Sequence, residues 1–181
     1  YQFQMDLVEI QHLAEANDGV RYLLNVIDTF TRYAFVRPLI DKTGKTVVNA
    51  FKSILQEAET KPYIILMDRG TEFNNELFKQ FCENLNIRLI NPQTSTHAAY
   101  IERFNRTLQT LVYKYMTENE SHRFLDVLQT LVKTYNTRYH RMIKMAPKEA
   151  ETNPDASLKI NLDIAKKYEN LSRKKPLLKV G

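Results

Sequence analysis

The chain has 181 residues, 43% hydrophobic and 26% charged, enough for one domain with a full core and too apolar for a mainly disordered chain. Its single cysteine, Cys82, excludes an internal disulfide and a four-cysteine zinc site, and no apolar run is long enough to span a bilayer. The formal net charge of +5 is uneven: residues 1–155 carry 19 basic and 19 acidic side chains, residues 156–181 seven and two. A neutral body with a basic tail is compatible with nucleic-acid binding and equally with a solvated terminal helix.

Phe3, Met5 and Leu7 alternate with other residues and predict a strand. A polar turn at residues 15–19 separates it from a second strand, Tyr22 to Ile27, and Thr31-Arg32 separates that from a third at Tyr33 to Val36. Three strands on short links predict an antiparallel meander. Thr43-Gly44-Lys45 then opens a helix with Val47, Phe51, Ile54, Leu55 and Ala58 at helical spacing. The apolar run Tyr63 to Met67 predicts a strand buried on both faces, brought into the same sheet by a crossover. A second helix sets Leu77, Phe78, Phe81, Cys82 and Leu85 on one face, and Ile87 to Ile90 is a further short strand, ended by Asn91-Pro92.

The remainder reads as helical. Residues 99–117 carry Phe104, Leu108, Leu111, Val112 and Tyr115 on one stripe, and residues 122–139 carry Phe124, Leu125, Leu128, Leu131, Val132, Tyr135 and Tyr139 on another. Pro147 and Pro154 interrupt the pattern, and residues 156–173 predict a last helix before Pro176. The order βββ-α-β-α-β-α-α predicts an α/β fold, a mixed five-stranded sheet with helices on its faces.

Three acids stand out. Asp6 sits inside the first strand, where a charge is costly unless it is paired or binds metal. Asp68 follows the run 63–67, at the carboxyl end of a strand, where open sheets bind ligands. Glu102 lies near the start of the helix 99–117, with Arg106, Gln109 and Tyr113 on its face. Three converging carboxylates repel one another, and hard divalent cations such as Mg²⁺ remove that cost. Two ions roughly 3.5–4 Å apart could activate a nucleophile and stabilise the leaving oxygen of a phosphodiester. Each acid alone also has a structural reading: a turn residue for Asp68, a first-turn acid favoured by the helix dipole for Glu102, an ion-pair partner for Asp6.

The segments around these acids carry a resemblance. Asp68-Arg69-Gly70-Thr71-Glu72-Phe73 resembles the Asp-x-Gly-x-Glu-Phe segment, and Ile101 to Leu108 the Glu-Arg-Phe-Asn-x-x-Leu segment, of the retroviral integrase superfamily. Asp6 to Glu9, Tyr22 to Asp28, and Tyr139-His140-Arg141 through Met145-Ala146-Pro147 look closest to integrases of Maverick (Polinton) DNA transposons. The resemblance covers roughly residues 1–155. It departs from the family in the 33 residues between Asp68 and Glu102, where about thirty-five are usual, and in Ala98-Ala99-Tyr100, where the family often has Gly.

The resemblance implies an RNase H-like catalytic core over residues 1–155, then a basic linker helix over 156–181 leading to a C-terminal β-barrel that the chain does not reach. On this reading the chain, which opens Tyr1-Gln2-Phe3, is a piece of a longer enzyme. The implied activity is polynucleotidyl transfer: endonucleolytic processing of 3′ ends, then strand transfer of element DNA into target DNA. Asp6, Asp68 and Glu102 map onto the metal ligands, with Mg²⁺ or Mn²⁺, two ions, as cofactor. Family helix residues after the third acid contact DNA, and Arg106 and Gln109 fall there; Arg103, Arg69 and His97, beside the acids, join them as candidates. Implied partners are DNA and a second copy of the chain, with no membrane, in the nucleus or wherever host DNA is accessible. The alternative is a domesticated module that keeps the fold for DNA binding or dimerisation. Lys133, Arg138, Arg141, Lys144 and Lys148 form a basic strip around Tyr135, Tyr139 and His140, readable as a phosphate-contacting surface. The two long amphipathic helices predict a dimer, since one sheet face would not cover both stripes.

Overall fold

In the computed structural model, residues 1–67, 70, 72–91, 98–153, 155–156 and 158–162 are described. Strand β1 (Gln2–Glu9) lies at the centre of a five-stranded sheet. It runs antiparallel to β2 (Tyr22–Asp28), which pairs antiparallel with β3 (Ala34–Leu39). On its other side lies β4 (Ile64–Leu66), parallel to β1, then β5 (Arg88–Ile90), parallel to β4. The order β3-β2-β1-β4-β5 is the predicted mixed sheet, with the meander on one side and two parallel crossovers on the other.

The crossovers are helices with side-chain caps. Helix α1 (Gly44–Glu57) starts from Thr43, whose hydroxyl accepts the Thr46 N–H. Helix α2 (Glu76–Asn84) starts from Asn75, whose side chain accepts the Phe78 N–H at 2.9 Å. Both pack on one face of the sheet. Phe3 and Met5 of β1 and Leu24 and Val26 of β2 are buried there with Val47, Phe51, Ile54, Phe78 and Cys82. The other face takes α3 (Ala99–Glu118) and α4 (Leu128–Thr137), with Leu23, Ile27, Ala34 and Val36 of the sheet under Phe104, Leu108, Phe124, Leu128 and Val132. The split follows from the period of two: alternate residues of β1 and β2 serve opposite layers.

Two buried asparagines fasten the second helical layer, one joining α4 to the sheet and one joining the turn after β1 to the segment before α4. Asn136 accepts from Ala34 N and donates to Ala34 O, pairing the start of edge strand β3. Asn17, fully buried, donates to Leu13 O and His122 O and accepts from Phe124 N and Leu125 N, which saturates its amide. A last helix, α5 (Pro147–Thr152), begins with Pro147 where a missing N–H costs nothing. Ala150, Ala156 and Ile160 pack with Ile143, Met145 and Phe30 in a third, smaller cluster.

Several elements differ from the sequence expectation. The strand predicted over 63–67 is regular only at Ile64–Leu66; Tyr63 is 69% exposed and only Ile65 of the three strand residues is fully covered. In α2, Phe78 and Cys82 are buried while Leu77 and Leu85 face solvent, because one sheet face covers only a narrow stripe of a nine-residue helix. The helix predicted over 122–139 is a 3₁₀ turn, Leu125–Val127, followed by α4, and Tyr139 lies outside it and is largely exposed. The stripes of α3 and α4, the sequence ground for a dimer, are covered within the chain by the sheet and by each other. The helix predicted over 156–173 lies mostly outside the described residues. Among the described residues no helix is long and apolar enough to cross a membrane.

Candidate active site

The face of β1 that meets α3 carries Gln4 and Asp6, and the same face of β2 carries Asn25 opposite Asp6. Polar side chains on a central strand need partners, and α3 provides them. Helix α3 begins after Ala98, which has no side chain able to cap it. Gln4 takes over that role: its Oε1 accepts the N–H groups of Tyr100 (3.1 Å) and Ile101 (2.9 Å). These are the second and third residues of the helix, the donors an ordinary N-cap side chain satisfies. The helix start is thereby fixed to β1 two residues before Asp6.

A second fastening lies one turn on. Asn105 donates through Nδ2 to Asp6 Oδ2 at 2.6 Å, and its own Oδ1 accepts from Asn25 Nδ2 at 2.8 Å. The relay Asn25 to Asn105 to Asp6 sets the Asn105 amide with its donors toward the carboxylate. Asp6 Oδ1 accepts from Leu7 N at 2.8 Å. Glu102 lies between the two fastenings, three residues before Asn105 and on the same side of the helix as it. Its backbone N–H opens the helical ladder to Ala98 O, and its exposed side chain makes no hydrogen bond to another described residue. Asp6, half-buried, and Glu102, exposed, thus share one rim of the sheet.

The donor chemistry fits a hard divalent cation. Asp6 Oδ1 and Oδ2 each accept a short hydrogen bond, which fixes the carboxylate's orientation, and carboxylate oxygens are the donors such an ion takes. The third acid, Asp68, lies outside the described residues, as do Arg69 and His97. Among the described residues no group of three or more His, Cys, Asp or Glu side chains gathers as a metal site.

Of the predicted DNA-contacting residues, Arg106 and Gln109 lie on the Glu102 side of α3, both exposed. Gln109 borders a small cleft of about 60 Å³ with Asn25, Asn105 and Tyr113. Arg103 does not join them. It lines a separate cleft with Tyr100, Phe104 and Thr107, a set spaced along the opposite flank of the helix. Of the basic strip, Arg138, Tyr135, Tyr139 and His140 line that same cleft.

Gln4, Asn25 and the role of Asn105 were missed by sequence reasoning. It followed the apolar positions Phe3, Met5 and Leu7 and left the intervening face unread. The available signal was two polar residues, Gln4 and Asp6, alternating with the apolar Phe3, Met5 and Leu7 along one strand.

Residues 1–96 match the family described as "Integrase core domain". The chain belongs to the integrase core family. The matched segment takes in Asp6 and Asp68 and stops short of Glu102. This integrase core is 36% identical over 150 residues, 83% of the chain, to an uncharacterised transposon-derived protein of Caenorhabditis elegans. It is 30% identical over 142 residues, 76% of the chain, to the retrovirus-related Pol polyprotein from transposon 412 of Drosophila melanogaster. The chain spans 52% of the first and 11% of the second. In fold it is similar to the HTLV-2 integrase catalytic core domain solved in complex with magnesium, with a TM-score of 0.69 at 19% identity over 83% of this chain and 95% of that one. An integrase chain of the simian T-cell lymphotropic virus intasome, solved with PP2A regulatory subunit B56 gamma, gives 0.74 at 20% identity over 85% of this chain and 55% of that one. The RNase H-like architecture predicted from the sequence is the fold of these cores.

Proposed function

We propose that this chain is the catalytic core of a DNA-integrating enzyme of a transposable element, cutting and joining phosphodiesters with a divalent metal. The observation that carries the reading is the docking of α3 on β1 through Gln4 and Asn105, which sets Asp6 against the helix turn that carries Glu102 and supports the two acids acting together. Asp68 follows Leu66 by two residues, as Asp6 follows Gln4, the pairing partner of Leu66 in the parallel register. That offset supports Asp68 as the third ligand. Magnesium or manganese held by Asp6, Asp68 and Glu102, as two ions, would supply positive charge to the attacking and leaving oxygens of the phosphodiester.

The chain's own side chains do the rest. Gln4 holds the helix start, Asn105 keeps Asp6 turned for ligation, and Glu102 closes the site from the helix side. Arg106 and Gln109, further along the Glu102 side, are placed to receive the DNA backbone as it leaves the acids, with Arg69 and His97 as additional candidates. Within the superfamily, the resemblance of the segments at Asp6–Glu9, Tyr22–Asp28 and Tyr139–Pro147 to those of Maverick integrases is what supports an origin near them. The domain reading is a core over 1–155 and a linker over 156–181, acting in the nucleus as a dimer or larger assembly on element ends and target DNA. An HTLV-2 core has been solved in dimeric and trimeric forms, which supports self-association here.

Incubation of residues 1–181 with Mg²⁺ or Mn²⁺ and a branched DNA substrate tests the reading. The account expects the chain to resolve the branch, the reverse of joining, and Glu102→Gln to be inert. Branch resolution by Glu102→Gln at the wild-type rate would refute it. Efficient joining of two DNA ends by this chain alone would refute the expectation that flanking segments are needed for that step.

A further inference from the structure

The cleft on the far flank of α3 has a composition unlike any other described part of the chain. It measures about 180 Å³, and its lining carries three arginines, Arg32, Arg103 and Arg138, with no carboxylate. Arg32 comes from the turn between β2 and β3 and is only 9% exposed. Its guanidinium lies 3.7 Å from the centroid of the Tyr100 ring. Its Nε and Nη1 are buried and have no hydrogen-bond partner. Tyr100 bonds this guanidinium as well as stacking on it, yet two of its three nitrogens stay buried and unpaired, which is costly for a charged group. The backbone adds to that cost, since Arg32 holds a φ of 65°, which non-glycine residues seldom adopt.

The surrounding groups are arranged for an anion. Asp28, the carboxylate that acts on Arg32, instead accepts from Phe30 N and the Thr31 hydroxyl, and forms no ion pair with Arg32. Arg103 and Arg138 are exposed at the cleft and make no ion pair with a described residue. His140 Nδ1 is buried without a partner. Burial first, then the charges of Arg32 and Arg103, lower the His140 pKa, so its ring is neutral at pH 7. Burial pushes the Tyr135 hydroxyl up to about 12, against the pull of the same two arginines, so it keeps its proton as a donor. The Tyr135 ring packs edge-on to Phe104, with centroids 4.8 Å apart.

We propose that this cleft binds one phosphate group, with Arg32 at its floor, Arg103 and Arg138 at its mouth, and Tyr135 as a neutral donor. The arginine fork suits a tetrahedral oxyanion, and three cations without a lining carboxylate exclude a metal or a cationic ligand. The site is separate from Asp6 and Glu102, which lie toward the other side of the helix. Its phosphate is either the 5′-terminal phosphate of a DNA strand or free inorganic phosphate; the two share one chemistry.

The test is titration of residues 1–181, in metal-free buffer with chelator, with inorganic phosphate and with a short oligodeoxynucleotide bearing either a 5′-phosphate or a 5′-hydroxyl. Arginine Nε–H resonances report the site directly. The proposal expects a saturable shift of the Arg32 resonance. It also expects binding roughly ten- to a hundredfold weaker in Arg138→Gln, an exposed position whose change should leave the fold intact. Tighter binding of the 5′-phosphorylated strand than of both other probes assigns the site to a DNA end; equal response to the phosphorylated strand and to inorganic phosphate assigns it to the free ion. No saturable shift of Arg32 with any probe overturns the proposal. So does an affinity unchanged in both Arg138→Gln and Arg32→Met, which would leave Arg32 only a stacking partner of Tyr100.

Discussion

On one flank of α3, Asp6 and Glu102 are set among uncharged amides; on the other, Arg32, Arg103 and Arg138 surround Tyr100, Tyr135 and His140. The helix between them is about 10 Å across. On the acid flank, Asp6 is oriented by hydrogen bonds from the Asn105 amide and the Leu7 N–H, neither of which carries a neutralising charge. On the arginine flank, Arg32 is held by stacking on Tyr100 and by its turn between β2 and β3, which leave its Nε and Nη1 donors unused. One helix can therefore carry acids on one side and arginines on the other, with no ion pair between the two sets among the described residues.

Four changes break or sharpen this contrast. Removing a carboxylate has the largest expected effect. Asp6→Asn or Glu102→Gln should lower branch resolution by roughly three orders of magnitude or more, with melting temperature and inorganic phosphate binding unchanged. Next comes Asn105→Ala, which removes the donor to Asp6 Oδ2. It should weaken Mn²⁺ binding and activity by roughly 10- to 100-fold, read by metal titration, and again spare the arginine cleft. A loss of phosphate binding in Asn105→Ala would show that the two flanks are coupled.

Gln4→Leu has a smaller and different effect. It strips the N–H groups of Tyr100 and Ile101 of their acceptor and should cost about 1–3 kcal/mol in denaturant unfolding. Because Tyr100 lies under Arg32 and Ile101 beside Glu102, this change should loosen both flanks together, which no side-chain change on a single flank does.

The smallest effect is on pH dependence. Burial raises the Asp28 pKa above its unfolded value, against the lowering pull of the Phe30 N–H and Thr31 hydroxyl. The folded chain therefore holds that proton more tightly, and this group's contribution to stability falls as pH rises from the unfolded pKa through the folded one. Glu151, which accepts from the same Thr31 hydroxyl, is raised by burial and then by Asp28, so it acts in the same direction. Asp28→Asn should flatten that decline, seen as a smaller loss of melting temperature between about pH 4 and 7 than in the wild type.

The sheet was legible because its strands are separated by turn residues and its helices keep apolar positions at a steady period. Asp6, Asp68 and Glu102 were legible as candidates only: each interrupts or follows such a pattern, and the resemblance of their segments, not their spacing, named them as ligands. The devices that hold Asp6 and Glu102 were not. Gln4 caps a helix that begins 95 residues later, and Asn25 and Asn105 meet across 80, so neither pairing leaves a local signature. The arginine cleft was half legible. The strip at 133–148 pointed to Arg138, Tyr135 and His140, yet Arg32 lies in a turn read only as punctuation, and Arg103 was read as a neighbour of Glu102 in sequence with no link to that strip.

Anomalous diffraction at the manganese edge, from crystals of residues 1–181 soaked with Mn²⁺ and inorganic phosphate, tests the separation of the two flanks most directly. The account predicts a manganese peak within ligand distance of Asp6 and Glu102 and a phosphate against Arg32, on opposite sides of α3. Manganese elsewhere with the Asp6–Glu102 rim empty, or phosphate bound only beside manganese with the Arg32 cleft empty, would contradict it.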